Sequence, residues 1–236
     1  MSADLGGRKK RLWIGVGAGL LVLAAVLAFI VVDSSGDDSG AEIRLEGVAA
    51  VNRFFAGYPQ TAAVIGDPLA PVEMVEYSDL QCEACRDHME EVLPAVLENQ
   101  VKDGAAKIDF RFMVTVGEQS NPAGAAAYAA SLQGRGWNYI GIFFKNQKKA
   151  NSGYAADDEF LEAVAEAAGV KDLDKWNVDR ENSTTWVQEN TEEGENEGLQ
   201  RSPGVTIRGP KLNEELEHLG VSPSTKVIQN AIEAAH

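Results

Sequence analysis

The chain has 236 residues, 44% of them hydrophobic, with only two cysteines, three histidines and a formal net charge of −15. A chain of this length buries a substantial core without disulfide staples, and so acidic a surface repels nucleic acid and anionic lipid headgroups, which argues against either as a partner. The charge belongs to the part beyond residue 40, where 17 basic residues face 32 acidic ones.

Residues 1–11 form a basic N-terminus closed by Arg8, Lys9, Lys10 and Arg11, and the 21 residues from Leu12 to Val32 carry no charge. As a helix at ~1.5 Å per residue this run spans about 31 Å, the thickness of a bilayer's hydrocarbon layer, so a transmembrane helix is predicted at 12–32. Basic residues precede it and Asp33, Asp37 and Asp38 follow. The positive-inside rule then keeps the N-terminus in the cytoplasm and exports everything beyond Val32, as a single-pass protein of the cell membrane. A cleavable signal peptide is the competing reading, but its apolar region is usually shorter, and no Ala-x-Ala site closes this one. Residues 33–41 are rich in Gly, Ser and Asp and read as a flexible tether, leaving 42–236 as one extracytoplasmic domain.

Within that domain, residues 42–58 are ambiguous. Leu45, Val48, Val51 and Phe55 have loosely helical spacing, yet Gly57, Pro59 and Gly66 break any continuation, which suggests a lead-in arm packed on the domain. Val72 to Tyr77 predicts a strand with Val72, Met74 and Glu76 on one face and Glu73, Val75 and Tyr77 on the other. A helix follows Cys82 through Met89, Val92, Val96 and Leu97, with a kink or break near Glu90 because Pro94 lies inside it. Ile108 to Val114 predicts a second strand.

The pattern then turns helical until about residue 200. Asn121-Pro122 supplies an N-cap and a first-turn proline for an alanine-rich helix, and Trp137, Ile140 and Phe144 mark another. Asp157-Asp158 opens a third, whose stripe of Phe160, Leu161, Val164 and Ala168 ends at Gly169, and Trp176 and Trp186 lie on further turns. Val205 to Ile207 predicts a strand, Gly209-Pro210 a turn, Leu212 the start of a return strand, and Ser222-Pro223 the cap of a final helix carrying Val227, Ile228, Ala231 and Ile232.

Cys82 and Cys85 sit as Cys82-Glu83-Ala84-Cys85 at the junction of a predicted strand and a predicted helix. A helix N-terminus favours a thiolate, the nucleophile of disulfide exchange, so Cys82 is expected to face solvent and Cys85, a turn further on, to face inward and resolve mixed disulfides. A structural bridge closing so short a loop would add only about 2 kcal/mol. Zinc would need two more ligands where only His88 is near, and c-type haem attachment would need His where Arg86 stands. His88 itself is expected to face solvent from its helix.

The order of elements, with the segment Gly66 to Cys85 and the segment Ser202-Pro-Gly-Val-Thr-Ile-Arg-Gly-Pro-Lys-Leu212, resembles the bacterial DsbA-like thiol-disulfide oxidoreductases over roughly residues 60–236. The resemblance implies an α/β, thioredoxin-like fold with an inserted helical subdomain at about 116–200, preceded here by the transmembrane helix. It implies Cys82 as attacking thiol, Cys85 as resolving thiol, and Pro203 as a cis-proline beside them that presents backbone to an extended client. Ser202 and Gly204 flank that proline as client-binding residues, though glycine at 204 is unusual and removes a side chain that could line the groove. Glu76 resembles the buried acid beneath the pair that moves protons when Cys85 ionises. The implied partners are reduced or misoxidised exported proteins and a quinone-linked membrane protein that resets the pair, and no metal or organic cofactor is implied.

Between the cysteines Glu83 adds a negative charge that opposes the helix dipole, so Cys82 is expected to be less acidic than in the strongest oxidants, with a pKa above about 5. The acidic run Glu189, Glu192, Glu193, Glu195 and Glu197 reads as a solvated helix face, with a rim for basic clients as the alternative. The second reading of the whole domain is a tethered thioredoxin-fold binding or folding-assistance module whose bridge is inert.

Overall fold

The computed structural model describes residues 43–147, 157–212 and 216–236. Among these residues no helix is long and apolar enough to cross a membrane. The expected span at 12–32, the basic N-terminus and the tether lie outside the described residues.

Six strands form one sheet in the order β1-β2-β4-β3-β5-β6. They are β1 Gln60–Thr61, β2 Val64–Ile65, β3 Val72–Ser78, β4 Ala106–Phe112, β5 Gly204–Arg208 and β6 Glu217–Val221. Only β3 and β4 pair in parallel, from Val72 opposite Ala106 to Ser78 opposite Phe112, while β5 runs antiparallel to β3. Parallel neighbours need a crossover. The chain after Cys82 supplies it as helix α2, built from α-helical Glu83–Asp87 and Leu93–Val96 with π-helical turns at His88–Val92 and Leu97–Val101. Pro94 has no N–H to give the Glu90 carbonyl, so the helix widens and Leu93 N–H reaches back to the His88 carbonyl. The expected kink is therefore a wide turn and not a break.

Residues 42–58 hold more order than an arm. Val48–Phe55 form α1, which buries Val51 and Phe55 and stops before Gly57 and Pro59. Its docking rests on apolar contact and on a polar chain: Asn52 donates to the Ala167 carbonyl, Asn138 donates to Asn52 Oδ1, and Gln60 donates to Asn138 Oδ1. The hairpin of β1 and β2 escapes periodicity because two residues per strand show none.

Between β4 and β5 lies the helical insertion: α3 Ser120–Ser131, α4 Gly136–Lys145, α5 Asp158–Ala168, α6 Leu173–Asn182 and α7 Thr184–Asn196. Asp157 caps α5 by accepting from Glu159 N–H, and Gly169 ends it at φ +85°, a left-handed conformation that glycine adopts without a Cβ penalty. Trp137 and Trp176 are fully buried, and each indole N–H has a carbonyl partner, Ala63 and Ala126 respectively. Trp186 is half-buried and stacks on Tyr128 with ring centroids 3.7 Å apart.

Several boundaries differ from expectation. Helix α3 begins at Ser120, so Asn121 lies inside the first turn and not at the cap. Leu212 belongs to a single 3-10 turn, Pro210–Leu212, and the return strand starts at Glu217. The last helix, α8, covers Thr225–Ala235 with Ser224 at its N-cap, while Val227 faces out at 45% exposure. Ser222 instead holds the cis-proline loop, its N–H donating to the Pro203 carbonyl at 3.0 Å.

Phe55 is 4% exposed, with its ring 6.0 Å from that of Trp137. Phe55→Ala is expected to destabilise the protein by about 3 kcal/mol or more in urea unfolding, the usual cost of emptying an aromatic core position. A loss below about 1 kcal/mol would show that α1 is not part of the cooperative core.

Candidate redox site

Three loops meet where β3 hands the chain to α2. Cys82 occupies the N-cap of α2 in extended conformation, and its Sγ accepts the Cys85 N–H at 3.3 Å. Cys82 is half-buried, Cys85 is fully buried, and both are free thiols. The Ser202–Pro203 peptide bond is cis, and Cys82 Sγ lies 3.7 Å from the Ser202 carbonyl. The fold thus brings Cys82, Cys85, Ser202 and Pro203 together.

The two sulfurs differ in acidity. The hydrogen bond from the Cys85 thiol pulls Cys82 down to about 6 against the opposing effect of desolvation, helped by the Cys85 N–H and the Ala84 N–H. Burial pushes Cys85 strongly up, and the neighbouring Cys82 adds to that. Glu83, whose side chain is 69% exposed and lies 3.9 Å from Arg86, is not among the groups that move Cys82, and desolvation opposes the thiol's ionisation.

Glu76 is 0% exposed on the same strand face as Met74 and Ser78, beneath the start of α2. His88 contradicts the solvent-facing expectation: it is 3% exposed, and its Nε2 lies 3.7 Å from Glu76 Oε2. His88 follows the buried Cys85 by three residues at the α-helical start of α2, so the two share the inward face. Burial pushes the Glu76 carboxyl up to about 8 and the His88 imidazole down to about 4. Between those values both are neutral, so the pair is not a salt bridge, and 3.7 Å is too long for a direct hydrogen bond. Ser78 lies near enough to Cys85 to favour its thiolate.

At Gly204 a Cβ would meet both Leu199 methyls at 3.0 Å, so glycine lets β5 pack under Leu199 while it pairs with Tyr77 and Val221. In the acidic run, Glu193 pairs with Arg111 and Glu197 with Arg208, each at 2.8 Å, while Glu189, Glu192 and Glu195 are exposed.

Two residues that hold the site were not singled out from sequence. Asp79, 2% exposed, accepts from Gln81 N–H at 2.8 Å through Oδ1, and through Oδ2 from Thr115 N–H at 2.7 Å, Val116 N–H at 2.9 Å and the Thr115 hydroxyl at 3.2 Å. An aspartate at a strand's end with an N–H two residues on is an Asx turn, a signal available in Ser78-Asp79-Leu80-Gln81. Gln147, fully buried beyond the end of α4, donates to the carbonyls of Leu80 and Cys82 at 2.9 and 2.8 Å and accepts from Arg86. Nothing local in the sequence marks it, since its partners lie more than 60 residues away.

A family model described as Thioredoxin matches residues 59–223. Among curated proteins, a "Probable disulfide bond formation protein D" of Bacillus cereus is 26% identical over 172 residues, covering 71% of this chain and 79% of the relative. Among solved structures, Wolbachia pipientis α-DsbA1 superposes with a TM-score of 0.63 at 21% identity, covering 73% of this chain and 89% of that one. Bacillus subtilis BdbD in its oxidised form superposes at 0.58 with 20% identity, covering 76% and 92%. The two superpositions carry the fold: a thioredoxin-like sheet with a helical insertion.

The raised Glu76 carboxyl makes stability depend on pH with a definite sign. Its folded value of about 8 exceeds the ordinary 4.5, so the folded state holds a proton that the unfolded state releases, and stability is lost as pH rises from about 4.5 to 8. Glu76→Gln removes that loss. The variant is expected to match the parent near pH 4 and to exceed it by a few kcal/mol near pH 8 in denaturant unfolding. An advantage that did not grow with pH would contradict the buried, protonated carboxyl.

Proposed function

Since the chain belongs to the thioredoxin family and is a DsbA-like thiol-disulfide oxidoreductase, we propose that it runs in the oxidising direction, donating the Cys82–Cys85 disulfide to reduced exported proteins. The observation that carries this reading is the asymmetry of the sulfurs: one half-exposed and favoured as thiolate, the other buried and disfavoured. Stabilising the Cys82 thiolate stabilises the reduced enzyme, and a stable reduced form makes the disulfide a strong oxidant. The name of the curated relatives, disulfide bond formation protein, supports the same direction.

A client thiolate attacks Cys82 Sγ, the Cys82–Cys85 bond breaks, and Cys85 leaves with the electron pair. Because the buried Cys85 holds a negative charge poorly, a proton must reach it, and the neutral Glu76 carboxyl beneath the pair is its donor in this reading. A second client thiolate then attacks the client sulfur of the mixed disulfide and releases Cys82 as thiolate. The client has lost two electrons and the enzyme pair has gained them. The Pro203 carbonyl is committed to Ser222, so backbone pairing with an extended client falls to Ser202.

The uncharged run from Leu12 to Val32 and the charges that flank it support an uncleaved anchor with the catalytic domain outside the membrane. The cycle needs an acceptor for two electrons, and the quinone-linked membrane protein implied by the family resemblance would meet an anchored enzyme in the plane of the membrane.

Trapping tests this. In Cys85→Ala, the Cys82 thiolate attacks a disulfide of an oxidised client peptide and releases one client thiolate, and with no second enzyme thiol to resolve it the mixed disulfide through Cys82 is expected to accumulate. Cys82→Ser is expected to lose at least a hundredfold in the oxidation rate of a reduced peptide. Undiminished activity in Cys82→Ser would return the bridge to an inert structural role.

A further inference from the structure

Thr115 and Ser202 approach each other at 2.6 Å between hydroxyl oxygens, a distance that requires one of the two hydrogens to lie between them. Which one is decided by counting donors. The Thr115 hydroxyl also lies 3.2 Å from Asp79 Oδ2, and that carboxylate receives only donors: Gln81 N–H, Thr115 N–H and Val116 N–H are the others. A hydroxyl has a single hydrogen, and turning its lone pairs toward a carboxylate is repulsive, so Thr115 donates to Asp79. The hydrogen in the shorter contact must then come from Ser202. The chain of donation runs from Ser202 to Thr115 to Asp79, and it points away from the sulfurs.

Ser202 also adjoins the attacking thiol, its carbonyl lying 3.7 Å from Cys82 Sγ, and a hydroxyl turned toward that sulfur would favour the thiolate. A serine has only one proton to place. We propose that Asp79 and Thr115 act as positioning residues that hold the Ser202 proton away from Cys82 and so restrain how readily the attacking thiol ionises. The relay joins three loops that converge on the dithiol: the end of β3 through Asp79, the segment after β4 through Thr115, and the cis-proline loop through Ser202. It rests on the oxidoreductase reading, because only an enzyme whose rate and potential follow the Cys82 thiolate gains from such a restraint.

Thr115→Val keeps the side chain's shape and the backbone N–H that binds Asp79, and removes only the hydroxyl. The Ser202 hydroxyl is then free to turn toward Cys82. In the full-length reduced protein, followed by thiolate ultraviolet absorbance, the Cys82 midpoint is expected to fall by about one pH unit, the size of one added charge-assisted hydrogen bond at a partly exposed site. The reduction potential is expected to move in the oxidising direction. Thr115→Ser, which restores the hydroxyl, is expected to titrate as the parent does, and Thr115→Val in a Ser202→Ala background is expected to show no fall. Thermal unfolding of each variant checks that the fold is kept.

An unchanged or raised midpoint in a folded Thr115→Val protein would overturn the relay, and so would an equal fall in the Ser202→Ala background. A parent protein whose Cys82 titrates like an ordinary thiol would instead overturn the functional reading beneath it, so the two failures are separable.

Discussion

Two sulfurs held three residues apart, one of them fully buried, can carry one negative charge between them and not two, because a second thiolate in a desolvated site would face both the first charge and the loss of water. The fold decides where that charge goes. Cys82 at the N-cap of α2 has the Cys85 N–H and thiol directed at it, and Cys85 has the core around it. In the proposed cycle, exposure of the nucleophile, inward storage of the resolving thiol and stability of the reduced state all follow from this unequal solvation. The buried Glu76 below, pushed up by the same desolvation, is where a proton is kept in a region that tolerates no charge.

The scaffold serves this arrangement by pinning backbone. The insertion helices are more than a cover over the sheet: the chain leaving α4 delivers Gln147 to the carbonyls of Leu80 and Cys82, and α7 delivers Thr191 to the N–H of Val114. Asp79 ties the β3 end to the loop after β4, and Ser222 ties the start of the last helix's loop to Pro203. Each tie satisfies a buried polar group and removes freedom from a residue adjoining the dithiol, so satisfaction and preorganisation are one event. A site held by hydrogen bonds from four separate stretches keeps its geometry only while the whole domain is folded.

What could be read from the sequence was what acts locally. Cys82-Glu-Ala-Cys85 after an apolar run marks the dithiol, Asp157 and Gly169 mark both ends of α5, and the strand face shared by Val72, Met74 and Glu76 marks Glu76 as buried. What eluded the sequence depends on distance. His88 is the exception, since it follows the buried Cys85 by three residues on the α-helical start of α2 and an ordinary 3.6-residue wheel puts the two on one face. Thr115 and Gln147 matter through partners far along the chain, and a polar residue in a loop has no pattern to betray them. Glycine at 204 reads as a missing side chain in a groove, and the structure adds that a Cβ there would press on the Leu199 methyls, a neighbour no local pattern names.

The most direct measurement is the reduction potential of the full-length protein, equilibrated against glutathione buffers and read by alkylation of the two cysteines. If the Cys82 thiolate stabilises the reduced state as this site's geometry requires, the potential lies above about −200 mV, in the range of oxidising members of the thioredoxin superfamily. A value near −270 mV or lower would mean that the disulfide is the favoured form, and would contradict an enzyme that gives its disulfide away.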